Sequence, residues 1–153
     1  VSEYSLTWIH DTIVAREALR YAQLKAVHAV CDAVYAAAEA GGLRPSLGGF
    51  PTHADYLRGG VWTITDGLPP TDLDERFLAE FEYGDGEDSG VCELAVPWRA
   101  LIDLEGTCAA EVERVRRLTA EQEAEAVARR EKFKAECERS ERELYERLKR
   151  KYG

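Results

Sequence analysis

The chain has no methionine and no asparagine, and only five lysines against fifteen arginines. Alanine occurs 21 times. Residues with GC-rich codons thus replace those with AT-rich ones, which points to a high-G+C genome, that of an actinobacterium or its phage. A CxxC pair is also missing: Cys31, Cys92, Cys108 and Cys137 stand far apart. Scattered thiols build neither a zinc ribbon nor a disulfide framework, so no metal, cofactor or disulfide is expected. No run reaches the ~20 apolar residues of a membrane span, and no N-terminal stretch reads as an export signal. The expected setting is therefore the reducing cytoplasm, without membrane contact.

Catalytic signatures are lacking too. There is no GxGxxG, no Walker A sequence and no GxSxG. His10–Asp11 and His53–Asp55 have no nucleophile in a defined setting beside them. His28, Cys31 and Asp32 fall within about one helical turn, but no second ligand pair lies nearby in sequence. No catalytic residue, cofactor-binding residue or metal ligand is assigned, and the expected protein is not an enzyme.

What is present suits a folded domain with one highly charged part. Hydrophobic residues make up 45% and charged residues 32% of 153 positions, enough for a core without staples. The net charge of −9 is uneven. Residues 1–110 hold 18 acids and 7 bases, whereas 111–153 hold 11 acids and 13 bases. Between 66 and 93 ten acids surround a single base, Arg76. A field of that sign repels nucleic acid and attracts basic partners.

Residues 10–40, rich in Ala, Leu and Val without Pro or Gly, predict a helix with Val27, Val30, Cys31 and Val34 on one broad face, mostly buried either in its own core or against a second copy, that ends at Gly41–Gly42 with Leu43 closing the cap. Tyr4, Leu6 and Trp8 alternate with polar residues, as in a short strand or a first helical turn. Thr52 is placed to cap a short helix, and Val61–Thr65 reads as a strand. Phe77, Ala79, Phe81 and Tyr83, then Cys92, Leu94, Val96 and Trp98, alternate across an acidic turn. They predict an antiparallel hairpin with one apolar face. Pro97 opens a short helix that Gly106 is expected to end. Residues 107–151 contain neither Pro nor Gly, and as one helix would run about 65 Å. A capping box at Thr119 and Gln122 is the one candidate break.

Within that segment Val112, Val115, Ala126, Phe133, Cys137, Leu144 and Leu148 keep a coiled-coil-like spacing with one slip, forming an association seam. Asp85, Glu87 and Asp88 crowd the hairpin tip as an acidic partner surface. The basic ending around Arg147–Lys151 complements the helix dipole, so no direct nucleic-acid binding is expected.

Residues 34–106 loosely resemble the SspB family of protease-adaptor domains. The likeness rests on the Ala/Tyr-containing helix end, Leu43 to Pro45, the short strands, and a hairpin closing in Val96–Pro97. It departs at the C-terminus, where that family has a flexible tail instead of a long charged helix.

The expected fold is α+β: a globular domain over 1–106, with an N-terminal helix on a sheet of three or four antiparallel strands, and a long charged helix over 107–153. The expected function is protein–protein interaction or assembly, as a homodimer joined through the C-terminal helix. Two alternatives stand beside it: an acidic, nucleic-acid-mimicking inhibitor with a basic protein partner, and a small enzyme, which would need a deep pocket ringed by polar groups from the central loops.

Overall fold

A computed structural model describes residues 5–153 except Asp66 and Asp85. The order is helix α1 (Leu6–Glu39), a 3-10 turn (Pro45–Gly48), helix α2 (His53–Leu57), strands β1 (Gly60–Ile64), β2 (Arg76–Tyr83) and β3 (Gly90–Pro97), a second 3-10 turn (Trp98–Leu101) and helix α3 (Leu104–Tyr152). The expected α+β arrangement is what the chain adopts, with three strands among the described residues in antiparallel order β1-β2-β3. By internal contacts it divides into two compact units, Val1–Arg116 and Arg117–Gly153.

Ser5 caps α1, its hydroxyl accepting the Trp8 N–H at 3.0 Å. Leu6 and Trp8 therefore belong to a first helical turn rather than a strand, while Tyr4 lies outside the described residues. Gly41 leaves the helix with φ 99°, a left-handed conformation that glycine adopts without a Cβ penalty, and Leu43 drops into the core. Thr52 caps α2 by accepting the Asp55 N–H at 3.2 Å.

The hairpin forms with the expected apolar face. Phe77 pairs with Val96, Ala79 with Leu94 and Phe81 with Cys92, while Trp62 and Ile64 of β1 sit opposite Phe81 and Ala79. Because side chains alternate at period two, these residues share one face. They form a single core with Val27, Val30, Cys31 and Val34 of α1. The indole N–H of Trp62 is buried there without a hydrogen-bond partner.

Two boundaries differ from expectation. α3 starts at Leu104 and takes Gly106 into its first turn. The Asp103 carboxylate accepts the Gly106 N–H at 3.0 Å. A Cβ on Gly106 would lie 2.2 Å from Oδ2 of Asp103, so this glycine makes room for a cap and does not end a helix. Nor does α3 break at Thr119: helical residues run from Leu104 to Tyr152.

Within the first unit, α3 is fastened to the sheet by charge. Glu111, 3% exposed, receives Arg76 of β2 at 2.7 Å and Arg114 at 2.8 Å. Arg76 also donates to the Ala95 carbonyl, and Arg114 to the Gly48 carbonyl at 3.0 Å.

Candidate interaction surfaces

The seam residues divide into two groups. Val115 is fully buried in the core of the first unit, with Val112 packed against it. Ala126 is half-buried, and Cys137 is exposed. Phe133 is 69% exposed, and Leu144 and Leu148 about half so, joined by Val127, Tyr145 and Tyr152. One apolar spacing thus does two jobs: its first part packs a core, and its second faces solvent.

The sheet's outer face carries acid. Glu80 lies directly opposite Glu93 in the β2–β3 register. Like charges in that position destabilise a sheet, and neither strand carries a base between residues 77 and 98. Glu87 and Asp88 at the tip are exposed in a 3-10 turn, while Asp85 lies outside the described residues.

His28, His53, Cys31 and Cys92 pack or hydrogen-bond within the first unit, while His10 and Cys137 are exposed. The Tyr56 hydroxyl donates to Asp32 at 2.9 Å and lies 3.3 Å from Nδ1 of His28. Burial, then that hydrogen bond, pushes the Tyr56 hydroxyl well above its ordinary range. Burial, with Asp32 and Cys92 nearby, likewise keeps the Cys31 thiol protonated. The Cys92 thiol donates to the Gly49 carbonyl at 3.1 Å. His53 stacks on Tyr35 with ring centroids 4.7 Å apart. Among the described residues no group of three His, Cys, Asp or Glu is placed to hold a metal, and no helix is long and apolar enough to cross a membrane.

Two features escaped the sequence. The first is that α1 is exposed at every position from Leu6 to Leu19, so Leu6, Trp8, Ile9, Ile13 and Val14 lie open. The excess of apolar side chains was visible, but not which half of the helix the sheet would cover. The second is a recess of about 490 Å³ between the middle of α1, the residues Thr65 and Gly67 to Pro70 after β1, and the start of β2. Its walls include Arg16, Arg20 and Arg76 beside Leu68, Phe77 and Trp98. Three of the seven bases in residues 1–110 meet there. Arg20 donates to the Ile64 carbonyl, and Arg76 is held by Glu111. No Asp, Glu, His or Cys is among the described lining residues. Guanidinium stays protonated, and the Arg76 charge is already answered by the Glu111 carboxylate.

No protein family matches the chain, and no curated protein or solved structure does either. The likeness of residues 34–106 to the SspB family finds no support there.

Proposed function

We propose that this is a protein–protein interaction or assembly protein that self-associates through the exposed part of α3. One observation carries the reading: Phe133, Leu144, Tyr145, Leu148 and Tyr152 stand in solvent along a single helix. Leaving such side chains exposed forgoes about 1.5–3 kcal/mol for each large one that could be covered. The open apolar residues of α1 add a second sticky surface of the same character.

Light scattering on the full chain tests this. The wild type should give twice the 17.1 kDa chain mass at micromolar concentration. Phe133→Ser, Leu144→Ser and Leu148→Ser together should return it to the mass of one chain without loss of the sheet. A single-chain mass for the wild type at every concentration would refute the reading.

A second reading has the opposed pair Glu80–Glu93 in its favour, because a sheet that tolerates such repulsion holds negative potential outward. In that reading the acidic face occupies a cationic nucleic-acid-binding protein. The chain should then displace duplex DNA from a basic DNA-binding protein at low salt. The combined Glu87→Lys, Asp88→Lys and Glu93→Lys variant should fail to do so with its mass in solution unchanged. No displacement by the wild type removes this reading.

A further inference from the structure

We infer that two copies of α3 pair antiparallel, held in register by a ring of alternating charges made of Glu125, Arg129, Glu143 and Arg147; this rests on the self-association proposed above. Residues 117–152 of α3 are one unbroken helix. At 3.6 residues per turn, Phe133, Cys137, Leu144 and Leu148 form one stripe, and the four charged residues all fall on the same flank of it.

Their positions are symmetric about Glu136. Arg129 and Glu143 lie seven residues to either side, and Glu125 and Arg147 eleven. In an antiparallel pair, residues on the same flank of the two helices face each other. Arg129 then meets Glu143 of the second copy, and Glu125 meets Arg147. Within each helix Glu125–Arg129 and Glu143–Arg147 are already i,i+4 pairs in the favourable order. The contacts close into a ring of four alternating charges, and the two-fold axis generates a second. In the same register Ala126 faces Leu144 and Phe133 faces Cys137 across the seam. Glu136 and Lys134 alone lie at the axis and meet their own copies, two like-charge contacts against the four opposite-charge contacts of the rings.

A parallel, in-register pair does the reverse. There a flanking residue meets the position five further along the other helix. Arg129 would meet Lys134 and Glu136 would meet Glu141, each twice and each with like sign. Repulsion of this kind selects helix orientation even where single exposed pairs add little.

Two half-swaps of the full chain test the orientation. Glu125→Arg with Arg129→Glu, and separately Glu143→Arg with Arg147→Glu, each keep an opposite-charge pair inside the helix but turn every ring contact between copies into a repulsion. Each should weaken self-association at least tenfold in sedimentation equilibrium at low salt, with helix content by circular dichroism unchanged. Mixed one to one, the two variants should recover wild-type association, because every contact in the mixed pair is again of opposite sign. If the wild type self-associates but the half-swaps do not weaken it, or their mixture does not recover, the antiparallel ring is wrong and self-association stands. If the wild type is a single chain throughout, both fall.

Discussion

Replacing Glu111 with alanine is expected to destabilise the first unit by about 3 kcal/mol, toward the lower end of the range for breaking a buried ion pair. The lower end applies because the Arg76 and Arg114 side chains keep 33% and 24% of their exposure, and water can partly replace the lost carboxylate. The direction follows from geometry. One carboxylate answers two guanidinium groups, through Oε1 at 2.7 Å and Oε2 at 2.8 Å, and is itself out of water. Removing it leaves two partly exposed cations without their shared carboxylate, Arg76 still donating to the Ala95 carbonyl and Arg114 to the Gly48 carbonyl. Glu111→Gln, which keeps the shape and some hydrogen bonding, should cost less. Exchanging all three partners for apolar residues of similar volume should be close to neutral or stabilising. Urea unfolding followed by circular dichroism reads these differences as shifts in midpoint at constant slope. A midpoint for Glu111→Ala equal to wild type would show that the triad contributes nothing to stability.

Truncating Phe81 to alanine should cost about 3–5 kcal/mol. Its ring is 1% exposed and central to an aromatic group, with centroids 4.7 Å from Trp62, 5.9 Å from Tyr83 and 6.3 Å from Tyr56. It also presses on the backbone of β1: a Cβ on Gly60 would lie 2.4 Å from Cε2 of Phe81. Neighbours on three sides are held by strand pairing and by the Tyr56–Asp32 hydrogen bond, so they close the cavity only in part. Against a typical domain stability of about 5–15 kcal/mol, this one ring is a large share. Phe81→Leu should lose less than half as much. Thermal unfolding checks both, and a melting temperature for Phe81→Ala within a degree of wild type would contradict the packing described.

How much of this was legible in the residues follows from how local each signal is. The hairpin could be read because period-two alternation and an acidic glycine turn are short-range patterns. α3 could be read because nothing between 107 and 151 interrupts a helix. Gly106 misled: glycine usually ends helices, but here a carboxylate three residues earlier needs its empty side. The covered half of α1 could not be read, because its apolar side chains are spread along 34 residues and a sheet of strands five to eight residues long reaches only some of them. The seam was legible as a spacing, but spacing does not separate Val112 and Val115, which pack in a core, from Phe133 and Leu144, which do not. The arginine recess was invisible, since positions 16, 20 and 76 converge only once α1 lies beside β2.

Cys31 gives the fold a built-in reporter. Shut inside the core and held as a neutral thiol, it is sealed from alkylating reagents while helix and sheet stay together; Cys137, open on α3, is accessible from the start. A chain whose Cys137 is modified while Cys31 is spared has kept its core closed. Modification at position 31 records the moment that core parts, whatever becomes of the helix beyond it.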